Sequence, residues 1–239
     1  MTPAARTRAI PPLSSPPAPQ TALAHCPLPP VSPSGAPWDK PGLRHALRAL
    51  LPRAGAAALS PAPGDGPSDD TSAAWSAALC RGIKRWEAFR EADGLLLFSP
   101  IGCEPDLLPL ARAAAQEGRF VAFPRCLAEG GMAFFLCSPQ ALRPDRFGIP
   151  APPSDAPAAP LSHRTLCLAP GLLFDPSGIR LGHGGGYYDR FFAVFPGRRV
   201  GVVPQYGLFP RLPRDGWDLP LHALALPWGV LPCPVVGIL

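Results

Sequence analysis

Between residues 94 and 124 the chain changes its hydrophobic period twice, and that change limits its fold more than any other feature. "GLLLFSP" at 94–100 is a short apolar run between Gly and Pro, the pattern of a buried strand. "DLLPLARAAAQEG" at 106–118 reads as a helix, with Asp106 as N-cap and Gly118 near the C-terminus. "RFVAFP" at 119–124 is a second strand. Strand, helix and strand in so short a span form a βαβ unit, whose two strands must run parallel. Parallel strands are buried on both sides, so helices or loops have to cover each face.

The flanking segments repeat the theme. "MAFFLC" (132–137), "TLCLAP" (165–170), "RVGVVP" (199–204) and "HALALP" (222–227) are further strand candidates. Leu43, Leu47 and Leu50 recur at helical spacing, as do Trp75, Leu79, Ile83 and Trp86. Asp70, Thr71 or Ser72 is placed to cap the second of these helices. Pro/Gly-rich stretches at 52–70 and 150–160 read as surface loops. The expected fold is α/β: a single domain with a mostly parallel sheet and helices on both faces.

Residues 1–37 hold eleven of the 37 prolines and no acidic residue. Such a segment buries too little apolar surface to offset its ordering entropy and is expected to be a disordered extension. The domain is expected over 38–230, with 231–239 as a tail. Arg6 and Arg8 in a Ser/Ala/Pro-rich start loosely match a transit peptide, so the expected cytoplasmic location leaves organellar import open. No eighteen-residue apolar run is present, which gives no membrane-spanning helix. The net charge of +5 is scattered, without basic runs interleaved with aromatics, and no nucleic-acid partner is expected. The seven cysteines form no CxxC pair and read as reduced thiols, several of them in apolar runs. A monomer is expected.

"RLGHGGGYYDR" (180–190) follows a strand and precedes the helical pattern "YYDRFFAVF". In an open α/β sheet, ligands collect at the carboxyl ends of strands. A glycine turn there lets the backbone approach an anion, next to the free N–H groups of a helix start. It is not a P-loop, because G-K-[ST] is missing, and a plain flexible turn stays an alternative on these grounds.

The longer string "APGLLFDPSGIRLGHGGGYYDRF" (169–191) resembles the signature of the 5-formyltetrahydrofolate cyclo-ligase family, close to PGLAFDxxGxRLGxGxGYYDRF. The likeness extends over about 38–226 through "KPGLR" (40–44), "EPD" (104–106), "FPR" (123–125), "RFGIPAPP" (146–153) and "WDLPLH" (217–222). It implies a NagB/RpiA/CoA-transferase-like fold and ATP- and Mg²⁺-dependent conversion of 5-formyltetrahydrofolate to 5,10-methenyltetrahydrofolate, with ADP and phosphate as the other products. A non-catalytic folate- or nucleotide-binding relative is the alternative.

The resemblance also implies roles for single residues. Lys40 and Arg44, one helical turn apart, would contact the ATP phosphates. Arg180 and the loop Gly182, His183, Gly184, Gly185, Gly186, Tyr187 and Tyr188 would hold the nucleotide, with Arg180, His183 and Tyr187 positioning the reacting groups. Phe98, Glu104, His183 and Tyr187 would bind the folate, the Glu104 carboxylate accepting hydrogen bonds from the pterin ring. Without a gap, Cys103 takes the place of Glu104. Phe147 is a further candidate to close over the ligand. Asp189 and Asp218 match the two Mg²⁺ carboxylates. Two positions depart from the family pattern: His183 stands where many members have Arg, and His222 where a second Asp is common. Tyr188 also fits an ordinary core aromatic, with Phe191 and Phe192 at i+3 and i+4.

Overall fold

A computed structural model describes residues 28–50, 69–102, 104–145 and 148–234. In chain order the helices are α1 (Lys40–Leu50), α2 (Asp69–Arg85), α3 (Glu87–Glu91), α4 (Leu108–Gln116) and α5 (Tyr187–Phe192). The strands are β1 (Gly94–Leu96), β2 (Phe120–Cys126), β3 (Met132–Leu136), β4 (Arg143–Pro144), β5 (Pro150–Ala151), β6 (Leu166–Ala169), β7 (Leu173–Phe174), β8 (Arg180–Leu181), β9 (Arg198–Val202), β10 (Ala223–Leu226) and β11 (Gly229–Pro232).

Seven strands form one sheet in the order β11-β10-β9-β6-β1-β2-β3. The five central strands pair in parallel, and β3 and β11 close the two edges antiparallel. Leu95 and Leu97 enter the core cluster built with Leu79 and Ile83 of α2, Phe89 of α3 and Leu110 of α4. Leu96 enters the opposite cluster, with Phe174, Phe191 and Phe192. Both faces of β1 are therefore dry, which is why its sequence reads as an unbroken apolar run rather than an alternation. A third cluster joins Leu43 and Leu47 of α1 to Leu173, Ile179 and Leu181 of the β7–β8 hairpin.

The expected α/β fold is present, with corrections at several boundaries. Regular pairing in β1 stops at Leu96, although Leu97 and Phe98 stay buried. Leu107 occupies the N-cap position of α4, and Asp106 instead accepts the Leu108 N–H at 2.8 Å. Leu28, which falls in the segment expected to be the extension, is buried against α1. At the other end β11 runs past residue 230 and Cys233 is buried, so residues 231–233 of the expected tail belong to the fold. The remainder of the N-terminal extension, the loop 51–68, Cys103, Phe147 and residues 235–239 lie outside the described residues.

The connections out of β1 and β6 diverge. From β1 the chain crosses to β2 on one side, while β6, β9 and β10 follow on the other. The carboxyl ends of β1 and β6 thus flank a topological switch point, where crossovers leave a crevice instead of filling it.

Asp175, inside the long signature, proves to be structural. Its buried carboxylate accepts the Ser177 N–H (2.9 Å) and hydroxyl (2.6 Å), the Ile179 N–H (3.1 Å) and the Leu212 N–H (2.9 Å). It closes the β7–β8 turn, where Gly178 takes φ +87°, and ties that turn to residues 208–212. Asp175→Ala strands the two buried amide donors at about 1–3 kcal/mol each. The expected loss is therefore about 2–6 kcal/mol, read as a lower urea midpoint with an unchanged slope.

Candidate active site

A cavity of about 1350 Å³ opens at the switch point. Its wall is assembled from segments far apart in sequence: the start of α1, the exit of β1, the ends of β2 and β5, Pro170 after β6, the glycine loop with α5, and residues 213–219. Of the candidate site residues named from the sequence, Lys40, Arg44, Phe98, Glu104, Arg180, Gly182–Gly186, Tyr187, Tyr188, Asp189 and Asp218 line it.

The glycine loop is rigidly held. Gly184 and Gly186 have φ of +103° and +66°, conformations that L-residues with a side chain rarely adopt. A Cβ on Gly182 would lie 2.5 Å from a terminal nitrogen of Arg180 and displace that guanidinium. Arg44 donates from Nε to the Gly182 carbonyl at 2.8 Å. Arg190 donates to Gly185 O at 2.7 Å and to Gly130 O at 2.6 Å, bridging the loop to the turn before β3. The helix after the loop has only six residues, shorter than "YYDRFFAVF" suggested, so its dipole is small.

Arg180 is buried at the base of the loop. It donates to Pro170 O (3.2 Å), faces Asp189 Oδ2 (3.4 Å) and lies over the Tyr188 ring (5.1 Å), while its Nε has no partner. Tyr188 packs against Phe134 and Phe192, and burial pushes its hydroxyl pKa well above the usual phenol value. It is a core aromatic, neutral at any working pH. Tyr187 also lines the cavity, with Arg190 over its ring at 5.4 Å.

On the opposite loop, Glu104 Oε2 accepts the Ile101 N–H at 3.1 Å. Its Oε1 stands 3.7 Å from His183 Nε2, so the residue that departs from the family pattern faces the proposed pterin carboxylate. Phe98 lines the cavity and also belongs to the core beneath it.

Lys40 and Asp218 are placed together. The Lys40 ammonium contacts Asp218 Oδ2 and lies 2.8 Å from Asp215 Oδ2, with Lys40 and Asp218 both largely buried. Asp218 Oδ2 also accepts the Asp215 N–H at 2.7 Å. Asp215 and Trp217 are wall residues that sequence reasoning missed; the D-x-x-D spacing of 215 and 218 was the available signal. Arg190, read only as part of the signature string, was likewise not assigned a role.

The charge of the cavity differs from that of the chain. Among the described residues its wall carries four fixed cations, Lys40, Arg44, Arg180 and Arg190, against six carboxylates, Asp39, Glu104, Asp145, Asp189, Asp215 and Asp218. The excess positive charge of the sequence lies elsewhere, so the overall pI does not describe this site.

His222 is absent from the wall. Its Nδ1 accepts the Arg199 N–H at 2.9 Å and its Nε2 lies 3.1 Å from the Arg199 guanidinium, which makes it a structural link between β9 and β10. Three buried cysteines, Cys80, Cys167 and Cys233, also stay off the cavity wall. Burial pushes the thiols of Cys80 and Cys233 up to about 11 and about 12, and that of Cys167 higher still, which leaves them protonated and unreactive.

A model of the 5-formyltetrahydrofolate cyclo-ligase family matches residues 39–227. The chain is 32% identical over 143 residues to a 5-formyltetrahydrofolate cyclo-ligase of Escherichia coli K12, covering 57% of this chain and 79% of that protein. It is 27% identical over 143 residues to a 5-formyltetrahydrofolate cyclo-ligase of Mycolicibacterium smegmatis, covering 56% and 74%. Among solved structures, the Aquifex aeolicus 5,10-methenyltetrahydrofolate synthetase superposes with a TM-score of 0.65 at 27% identity, over 84% of this chain and 95% of that one. The Mycoplasma pneumoniae 5,10-methenyltetrahydrofolate synthetase, at TM-score 0.55 and 16% identity over 80% and 99%, shares the fold.

The environment of His222 gives a pH prediction. Desolvation, with the neighbouring Arg199 and Arg198 charges, holds its pKa below the ordinary value, and protonation at Nδ1 would break the bond from the Arg199 N–H. The unfolded chain therefore binds this proton more readily than the fold does. The stabilisation is fully present above about pH 6.5, the unfolded value, and is lost as pH falls below it. His222→Asn keeps an acceptor that does not titrate in this range. The drop in urea midpoint between pH 7 and pH 5 should shrink in that variant relative to the wild type.

Proposed function

The chain belongs to the 5-formyltetrahydrofolate cyclo-ligase family and is an enzyme of that activity; from this premise we propose that it cyclises 5-formyltetrahydrofolate to 5,10-methenyltetrahydrofolate using ATP and Mg²⁺, releasing ADP and phosphate. The observation that carries this reading is the convergence of Lys40, Arg44, Glu104, Arg180, the glycine loop and Asp189 on one cavity at the switch point.

In the proposed reaction the formyl oxygen attacks the γ-phosphorus of ATP and ADP leaves. N10 then attacks the activated carbon, phosphate leaves with the former formyl oxygen, and the N10 proton is released. Little covalent help is required, so the protein contributes position and charge. Arg44 and Arg190 hold the glycine-loop carbonyls aside, which leaves the loop backbone open to phosphate oxygens. Arg180 brings a largely buried guanidinium to the cavity wall, a fixed cation for a phosphate oxygen. Glu104 keeps Oε1 toward the cavity for the donor edge of the pterin, and the exit of β1 supplies Phe98 as an apolar wall.

The residues fit a bound Mg²⁺. Four fixed cations against six carboxylates cannot neutralise a triphosphate, and a divalent ion supplies the missing charge. No cluster of three or more His, Cys, Asp or Glu side chains is present among the described residues, which suits an ion that keeps several waters and takes phosphate oxygens. Asp189, half-buried and only 3.4 Å from Arg180, fits as its carboxylate. Asp218 already holds Lys40 and the Asp215 N–H through Oδ2, so its contribution is first to position Lys40. Bound Mg²⁺ would offset phosphate charge as it develops during transfer.

The direct test follows methenyl absorbance after mixing protein, 5-formyltetrahydrofolate, ATP and Mg²⁺ at mildly acidic pH. Product should form only with all three, and chelation of Mg²⁺ should stop it. Binding of both ligands with no product would leave a non-catalytic relative as the answer. Asp189→Ala should lower kcat on the order of 10²-fold. Glu104→Gln should raise the KM for the folate about 10-fold while leaving the KM for ATP in place.

A further inference from the structure

Trp217 is 73% exposed at the rim of the cavity, an unusual position for a side chain that proteins usually cover. Its place is fixed all the same. It sits in the turn Asp215–Asp218, where the Asp215 N–H donates to Asp218 Oδ2 at 2.7 Å and the Asp218 N–H to Asp215 O at 3.1 Å. Lys40 joins both carboxylates of that turn to the start of α1. The indole is therefore an exposed aromatic face on a braced turn, and a ring that stacks on it has little backbone to order.

The same links say which ligand it meets. Through Lys40 the turn is tied to α1, whose Arg44 runs along the glycine loop to Gly182. Glu104, after the exit of β1, meets the same loop at His183, 3.7 Å from its Oε1, and makes no hydrogen bond or ion pair to the Trp217 turn among the described residues. Glu104 offers the hydrogen-bonding chemistry that a pterin edge needs, whereas the Trp217 turn offers a π-face beside the cationic segment. We infer that Trp217 stacks on the nucleobase of the nucleoside triphosphate co-substrate, an inference that rests on the ATP-dependent reading above. Stacking on an aromatic face tolerates any base with a broad π-surface, so purine triphosphates are expected to bind similarly and pyrimidine triphosphates more weakly.

The test measures dissociation constants by calorimetry for Mg-ATP, inorganic tripolyphosphate with Mg²⁺, and 5-formyltetrahydrofolate, in wild type, Trp217→Ala and Trp217→Phe. Loss of base stacking should raise the Kd for ATP by about 5- to 100-fold in Trp217→Ala, and Trp217→Phe should recover most of it. Tripolyphosphate has no base, and its Kd should stay within about two-fold. An equal loss for tripolyphosphate would make Trp217 a brace for the turn, and a loss confined to the folate would make it a pterin wall; either overturns the inference. An unchanged Kd for ATP overturns it too. Wild-type protein that binds the folate but not ATP would instead sink the ATP-dependent reading itself, and this inference with it.

Discussion

Five parallel strands buried on both faces are the constraint from which the rest of this molecule follows. Parallel pairing forces every connection to cross over, and the crossovers must cover apolar residues on both sides of β1 and β6. Loops can then leave only at the ends of the strands. Where the crossovers diverge, between β1 and β6, the carboxyl ends are left uncovered and a cavity remains. Phe98 belongs both to the core and to the cavity wall, which shows how directly the packed sheet sets the position of the site.

Charge within that cavity is distributed by pairing. Lys40 is held by two carboxylates, Arg180 faces Asp189, and Glu104 faces His183. Taking one member from the largely buried Lys40–Asp218 pair leaves its partner uncompensated, so these two residues act as a positioned set and not as separate charges. The glycine loop extends the principle to backbone. Arg44 and Arg190 occupy its carbonyls, and its positive-φ glycines fix its shape before any ligand arrives. Such preorganisation suits group transfer, where the protein contributes geometry and electrostatics more than bonds.

Much of this was legible in the sequence because the signals were local. The βαβ unit over 94–124 showed as a change of period, and the helical stripes of α1 and α2 as Leu43/Leu47 and Leu79/Ile83. The two-residue strands β4, β5, β7 and β8 carry too few residues to show a period, and none was foreseen. The strand β11 was missed because a short Pro-flanked run at the chain end resembles a tail until its antiparallel partner is known. Leu28 was assigned to the extension because proline density is a property of the segment, whereas its burial depends on α1. For the site, the motif residues were found through their resemblance to a family. Asp215, Trp217 and Arg190 acquire their roles from partners 60 to 175 residues away or from a rim that only the fold creates.

The sequence by itself determined the parallel α/β architecture, the glycine loop and, through its resemblance to a family, which residues are candidates for a phosphorylated ligand and a folate. Period, turn chemistry and motif order are written in neighbouring residues, and neighbours are what a sequence records. The tertiary structure alone decided that Lys40 is shared by Asp215 and Asp218, that His183 faces Glu104, that His222 braces β9 and β10 outside the cavity, and that the wall is rich in carboxylates in a chain of net positive charge. Electrostatic interaction falls with distance through space, and distance through space is set only when the sheet brings its distant strand ends together.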